Sequence, residues 1–443
     1  NNHSVTGTAG APATNRVMIA VIHPSTISGR LAVPASKSVM QRVCALALLH
    51  PGQTIIRQPG HSRDDIAALN IIAALGAEWK EQDHQICVRG PQDISANRGW
   101  IDCGESGLSA RMFTLLAALS DRPTKIQGSG TLTGRDMRFF DEWMPQLGVS
   151  FRSNGGRLPF EVTGPMQFPE IRVNGSSSSQ YISGLLLAYG AGVKRTTQIV
   201  VDQPASRPYL DLTVTYMRKF GYRIDEEPGP VYQIHPRTIP ATDPITCTVE
   251  GDWSSASFWL AAAAHRNNQL VLEGLDDSSL QADRAMLGVL DQIGVLWEVR
   301  ADGIHCWPPE RLRPFQFDAT QAPDLFPPLV ALAAGISEPC AIRGTHRLIN
   351  KESNRLQSLL DVFSRLGVQI QAGEDTLLVQ RGNLPTEPVT VSSHRDHRIA
   401  MAVSIWALHS GAAVRITEAE AVEKSYPDFY SDLRKLGATV FVE

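Results

Sequence analysis

One tripeptide, returning at a nearly fixed interval, limits what this chain can fold into more than any other feature. Leu75-Gly76-Ala77, Leu147-Gly148-Val149, Phe220-Gly221-Tyr222, Ile293-Gly294-Val295, Leu366-Gly367-Val368 and Leu436-Gly437-Ala438 set their glycines 72, 73, 73, 73 and 70 residues apart. Each closes an amphipathic stretch such as NRLQSLLDVFSRL and opens a strand-like run such as GVQIQA. Glycine just past a helix takes the left-handed conformation that ends it, at little steric cost. The interval predicts six copies of one supersecondary unit.

A second helix recurs half a period earlier, apolar on nearly all sides, beginning near Ser36, Glu105, Ser178, Ser254, Pro323 and Arg395. SSASFWLAAAA and DHRIAMAVSIWALHSG are examples. Helices without a polar face are buried. The strands QTII, TKI, TQIVV, QLVL, CAI and AVRI follow them. The expected fold class is therefore α/β, with a core of helices wrapped by sheet rather than a central sheet covered by helices.

Composition removes several function classes. With 43% apolar and 19% charged residues the chain is not disordered throughout. No run approaches the ~20 apolar residues of a membrane span. A net charge of −4 argues against nucleic-acid binding through bulk charge. Cys44, Cys87, Cys103, Cys247, Cys306 and Cys340 are scattered, with neither disulfide-framework nor zinc spacing. They read as small buried hydrophobes of a cytoplasmic enzyme. Residues 1–16 read as an expression-tag remnant or a disordered arm.

Polar residues gather where the helices begin. A serine cap explains Ser36, Ser178 or Ser254 singly. It does not explain cations there, which oppose the helix dipole unless an anion intervenes. Lys37, Arg42, Arg111, Arg135, Arg207, Lys351, Arg355, Arg398 and Lys424 are expected at or within about one turn of a helix start. If the repeats aim these ends into one cleft, they form a polyanion site and, left unpaired, repel one another so that the cleft stands open. Asp324 and Glu352 sit among the cations and are candidate proton shuttles. The competing explanations are an N-cap for Asp324 and a surface ion pair for Glu352. His394, Asp396 and His397 lack a third dispersed ligand, so no metal is expected.

In order along residues 17–443 the motifs resemble the 5-enolpyruvylshikimate-3-phosphate synthase family. Those motifs are Pro34-Ala35-Ser36-Lys37-Ser38 through Arg42, Gly107 to Arg111, Arg135, Ser178-Ser179-Gln180 and Ser206-Arg207-Pro208-Tyr209. Glu250-Gly251-Asp252, Asp324, Lys351 to Arg355, Asp396-His397-Arg398 and Lys424 complete the series. The resemblance implies a two-domain inside-out α/β barrel of six βαβαββ units, three per domain. One domain would span 35–250 and the other 14–34 plus 251–443.

It also implies transfer of the enolpyruvyl group of phosphoenolpyruvate to the 5-hydroxyl of shikimate 3-phosphate, without metal or organic cofactor. The partners would be these small molecules alone, with no nucleic acid or membrane, and the protein a monomer. Lys37, Ser38, Arg42, Ser178, Ser179, Ser206, Tyr209, Asp324 and Lys351 would hold shikimate 3-phosphate. Lys37, Gly107, Arg111, Arg135, Gln180, Arg355, Arg398 and Lys424 would hold phosphoenolpyruvate. Lys37, Asp324 and Glu352 would carry the proton transfers. Ala35, Glu105, Leu108, Asp136, Arg347 and Arg395 depart from the family pattern. The alternatives are a UDP-N-acetylglucosamine enolpyruvyl transferase and an inactive ligand-binding relative. The first is disfavoured by Ser38 after Lys37 and by the lack of Cys between Gly128 and Arg135.

Overall fold

The computed structural model describes residues 17–94, 98–237, 242–265 and 267–443; the arm expected at 1–16 lies outside them. Twelve α-helices occur among the described residues: α1 (Lys37–Leu48), α2 (Arg63–Ala74), α3 (Gly107–Ala117), α4 (Phe139–Gln146), α5 (Ser179–Gly192), α6 (Arg207–Lys219), α7 (Trp253–Ala263), α8 (Met286–Ile293), α9 (Phe326–Ala333), α10 (Arg355–Arg365), α11 (His397–Ala407) and α12 (Phe429–Lys435). The six spaced glycines end the even-numbered helices, and all six have positive φ, from 69° at Gly148 to 108° at Gly76.

Odd and even helices differ as their sequences require. Every residue of α3 and of α7 is buried, which fits helices that carry no polar face. On α10 only Arg355, Ser358, Leu359, Val362 and Phe363 are buried, one stripe at helical spacing. α3 packs on α1 and α5, while α7, α9 and α11 pack on one another.

Among the described residues six four-stranded sheets share one pairing pattern, a parallel pair followed by two antiparallel ones. In one, Trp100–Asp102 runs parallel to Thr124–Gln127, which pairs antiparallel with Phe160–Thr163, itself antiparallel to Ser150–Arg152. The parallel pair is joined through the buried α3, the long crossover that such a pair needs. The N-terminal strand Ala20–Ile22 lies between Val414–Thr417 and Val440–Val442, so one sheet draws on both ends of the chain.

Two strands are exchanged. Ser28–Ala32 leads into α1 but pairs with Gln269–Glu273, whereas Ile245–Thr248 leads towards α7 but pairs with Gln53–Arg57. The two connections run side by side: Ser36 N donates to the Glu250 carbonyl at 2.8 Å, and Asp252 N to the Pro34 carbonyl at 2.9 Å. Buried apolar residues fall into two clusters. One draws on Val39 to Val249, the other on Ala20 to Val33 with Trp253 to Val440. No helix among the described residues is long and apolar enough to cross a membrane.

Candidate active site

The starts of the buried helices and the turns before the amphipathic ones meet between the two clusters. Ser36 and Ser178 do cap α1 and α5, accepting from Val39 N and Gln180 N. Ser206 does not cap α6. It stands at φ 50°, ψ 50°, and its hydroxyl accepts from Arg347 Nη2 at 3.2 Å. Lys37, Arg207, Arg355 and Arg398 lie in first turns as expected. Arg135 and Lys424 do not start helices. Arg135 follows the 3₁₀ turn Gly130–Gly134, and Lys424 ends the 3₁₀ turn Ala419–Lys424. Their cationic role survives this correction because both turns deliver the side chain inward.

A guanidinium fills the centre. Arg355, fully buried, makes a two-bond fork to Asp396, with Nε to Oδ2 at 2.8 Å and Nη2 to Oδ1 at 3.1 Å. It also donates to Asp324 Oδ1 at 2.9 Å and to Glu352 Oε2 at 2.6 Å. Asp324 is shared with Lys351 at 3.4 Å and Arg398 at 3.3 Å. Glu352 is shared with Arg135 at 3.4 Å and Lys424 at 3.8 Å. Lys37 pairs with Asp64 at 3.0 Å.

These ion pairs correct two expectations. Seven of the nine expected cations, all but Arg42 and Arg111, pair with carboxylates, so mutual repulsion gives no reason for an open cleft. Arg135 reaches Glu352 from the other core cluster, and Asn350 Nδ2 donates to the Asp136 carbonyl at 3.2 Å across the same gap. The two ordinary explanations also fail. Asp324 lies within the 3₁₀ turn Pro323–Leu325 and caps nothing, and Glu352 is no surface residue, its side chain being 14% exposed.

The opposing face is built from donors with few carboxylates. Arg111 Nη1 donates to Gln180 Oε1 at 2.6 Å, and its guanidinium lies 5.0 Å from the Tyr181 ring centroid. Arg135 packs on Gly107 so closely that a Cβ there would stand 2.5 Å from Nη1, which is why glycine serves. Buried Arg42 donates to Thr213 Oγ1, Ser183 Oγ and the carbonyls of Ser38 and Tyr209. None of these partners is charged, and burial lowers its pKa to about 10. Arg111 Nε, Arg135 Nε and Nη2, and Lys424 Nζ are buried with no hydrogen-bond acceptor. Buried donors left unmet are costly and are the mark of a site that expects acceptor oxygens.

Charge fixes the protonation states. Burial would raise the Asp324 carboxyl, but Arg398, Lys351 and Arg355 outweigh it and hold the group well below the usual carboxylate range. Glu352 is held down in the same way by Arg135, Arg355 and Lys424. Burial lowers Lys351 and Lys424, whereas at Lys37 Asp64 and Glu352 outweigh burial and raise the ammonium. Asp283, bonded to Ser254 Oγ, is pushed up to about 7 by burial and by Asp324. Asp64, Asp396 and Asp283 were not foreseen as site residues, although Asp396 stands inside the D-H-R motif.

The remaining expected residues are placed around this core. Ser179 is buried on α5. Tyr209 lies against Arg42, and burial with Asp283 and Asp324 nearby raises its phenol. Ser38 contributes its carbonyl to Arg42. His394 pairs with Asp361 and His397 is buried, and among the described residues no group of three or more His, Cys, Asp or Glu could hold a metal ion. Of the departures, Glu105 lies against Gly130, Leu108 is buried, Asp136 bonds Arg138 and Arg395 bonds Glu418. The cysteines are free, all buried except a half-buried Cys87.

Comparison with known proteins agrees with this geometry. The family model described as EPSP synthase (3-phosphoshikimate 1-carboxyvinyltransferase) matches residues 21–433. A protein of that name from Methanocorpusculum labreanum is 32% identical over 423 residues, covering 94% of this chain and 98% of its own length. Another from Nitrosopumilus maritimus is 30% identical, covering 95% and 98%. Among solved structures, the EPSP synthase of Acinetobacter baumannii superposes with a TM-score of 0.79 at 23% identity, covering 97% of this chain and all of that one. The enolpyruvyl transferase NikO of Streptomyces tendae does so with 0.77 at 21% identity, covering 96% and 99%.

Proposed function

The chain belongs to the EPSP synthase family, and from that premise we propose that it transfers the enolpyruvyl group of phosphoenolpyruvate to the 5-hydroxyl of shikimate 3-phosphate, releasing phosphate. One observation carries the reading: buried, acceptor-less donors on Arg111, Arg135 and Lys424 converge beside two ionised carboxylates, Asp324 and Glu352. Two polyanionic substrates held side by side need such a surplus of donors, and carbon–oxygen bond exchange needs groups that move protons.

In this reading Gly107 N–H, Arg111, Arg135, Gln180, Arg355, Arg398, Lys37 and Lys424 hold phosphoenolpyruvate. Ser38, Arg42, Ser178, Ser179, Ser206, Tyr209, Asp324, Lys37 and Lys351 hold shikimate 3-phosphate. A proton added to the methylene carbon leaves the adjacent carbon electrophilic. The 5-hydroxyl oxygen bonds to that carbon and yields its proton to Asp324, giving a tetrahedral ketal phosphate. Loss of a methyl proton and of phosphate restores the enol. Glu352 and Lys37 are the proton-transfer partners at the methylene carbon.

Both carboxylates are poor bases while three cations hold each of them. Anionic substrates raise that basicity: oxygens that draw Arg355 and Arg398 from Asp324, or Arg135 and Lys424 from Glu352, lift the carboxyl towards the working range. The carboxylates thus stand in for substrate charge until substrate arrives.

The same reading takes the six units as an inside-out α/β barrel of two three-unit domains, 35–250 and 14–34 plus 251–443, meeting at the paired connections. It takes the protein as a cytoplasmic monomer, in keeping with its free thiols. The test mixes purified protein with both substrates and follows inorganic phosphate. Release that requires both, and that Asp324→Ala abolishes, is expected. Silence from the wild type, or equal rates in the two proteins, would remove the reading.

A further inference from the structure

We propose that His394, paired with Asp361 at the mouth of a polar cavity that reaches Glu352, relays protons between solvent and that carboxylate; the inference rests on the reaction proposed above. The cavity holds about 560 Å³ and is lined by Glu352, by the hydroxyls of Thr131, Ser353 and Ser392, and by His394 and Arg395. No residue assigned to either substrate lines it, so bound substrates leave this way to Glu352 open. Side-chain exposure rises from 14% at Glu352 through 36% at His394 to 71% at Arg395, which puts the mouth at the His394 end.

Glu352 needs such a way. It stands ionised among its cations and has to gain a proton before it can give one to the methylene carbon. The groups that hold it do not supply that proton. The guanidiniums of Arg135 and Arg355 do not release one, and Lys424 lies 3.8 Å off, beyond hydrogen-bond reach. On the cavity wall Thr131 Oγ1 is buried without a hydrogen-bond partner, a placement that suits bridging water. At the mouth His394 Nε2 lies 3.2 Å from Asp361 Oδ2, and Arg365 Nε donates to Asp361 Oδ1 at 3.0 Å. A carboxylate so engaged only accepts, so Nε2 keeps its proton and Nδ1 is left to take up another. The other carboxylate on this wall, Glu418, is engaged by Ser392 and Arg395. His394 and Arg395 stand on left-handed backbone at φ 53° and 55°, their amides donating to Ser392 Oγ at 2.8 Å and Ser393 Oγ at 3.1 Å. Two such residues in succession persist only where the surroundings fix them.

The relay consumes nothing. A proton from solvent adds to His394 Nδ1. That N–H bond breaks as a proton passes along water in the cavity, and an O–H bond forms on Glu352. The Glu352 O–H bond breaks when the methylene carbon gains its C–H bond, and forms again when the methyl group of the ketal loses a proton. Between turnovers the proton on Glu352 exchanges with solvent through His394.

The experiment runs the reaction in deuterium oxide and reads, by mass spectrometry, the deuterium in the product methylene per phosphate released, for the wild type, His394→Asn and Asp361→Asn. Asparagine tolerates the left-handed backbone at position 394. The wild-type product should carry deuterium. His394→Asn should carry at least about twofold less per turnover, because a Glu352 that is not reloaded from solvent returns the hydrogen it has just taken. Asp361→Asn should move the ratio the same way by less, and imidazole added to His394→Asn should restore it. Damage to the fold alone slows turnover, lengthens the time for exchange and raises the ratio. An unchanged or raised ratio in His394→Asn would overturn the proposal, as would a lowered one that imidazole leaves untouched. A wild-type product free of deuterium would overturn it too. A wild type that releases no phosphate would instead overturn the reaction on which the proposal rests. If His394→Asn is inactive, Asp361→Asn decides by the same ratio.

Discussion

The two core clusters line one site with opposite strategies. On the cluster of Trp253 to Val440 the cations are met by carboxylates, Arg355 by three of them. On the cluster of Val39 to Val249, Arg42 and Arg111 are met by hydroxyls, carbonyls, an amide and an aromatic ring, while Lys37 pairs with Asp64 and Arg135 reaches across to Glu352. A compensated lattice is rigid and keeps its charges. An under-compensated donor face waits for an anion. In the proposed reaction the carboxylates that move protons, Asp324 and Glu352, stand on the first face, while the second adds donors that carry little compensating charge.

Asp324→Asn breaks the chemistry on the lattice side while leaving the donor face intact. Its kcat for phosphate release should fall about 10²- to 10⁴-fold, the usual contribution of a positioned acid or base, with substrate affinity changed far less. Arg355→Ala attacks the lattice itself. It takes the guanidinium away from fully buried Asp396 and one cation each from Asp324 and Glu352, and denaturant unfolding should show a loss of about 3–5 kcal/mol. Arg111→Gln removes a donor whose partner is a neutral amide, so stability should change little. The KM for phosphoenolpyruvate should rise about 10- to 100-fold. If Arg111→Gln lost as much stability as Arg355→Ala, the contrast between the faces would be wrong.

The smallest effect concerns Asp283. Its carboxyl stays protonated in the folded state up to about pH 7, while the unfolded group ionises near the ordinary 3.8. Its contribution is complete below the unfolded value and is lost as pH rises through that window. Asp283→Asn should match the wild type near pH 4 and exceed it by about 1–2 kcal/mol near pH 8, the sign set by linkage. Chemical denaturation at the two pH values checks it.

How much of this was legible in the sequence follows from what each residue type announces. The glycines at 76, 148, 221, 294, 367 and 437 announce the units because no other residue ends a helix so cheaply. Apolar runs without a polar face announce burial. Gln58, Gln203 and Glu418 adopt left-handed backbone directly after a strand, as Gly274 and Gly344 do in other units, and nothing in a Gln or a Glu signals that. Ion pairing was illegible for a different reason. Arg355 meets Asp396 and Asp324 over separations of 41 and 31 residues, and a sequence shows which charges exist but not which ones neutralise each other. The list of cations therefore carried no sign of the carboxylates that meet Arg135, Arg355, Arg398 and Lys424.

The central claim is that the donor face captures the anion that the lattice then acts upon. It is tested most directly by calorimetric titration of phosphoenolpyruvate in saturating shikimate 3-phosphate, in an Asp324→Asn background where turnover is slow. Adding Arg111→Gln or Arg135→Gln should weaken that binding at least about tenfold. Unaltered phosphoenolpyruvate affinity in both would contradict the account.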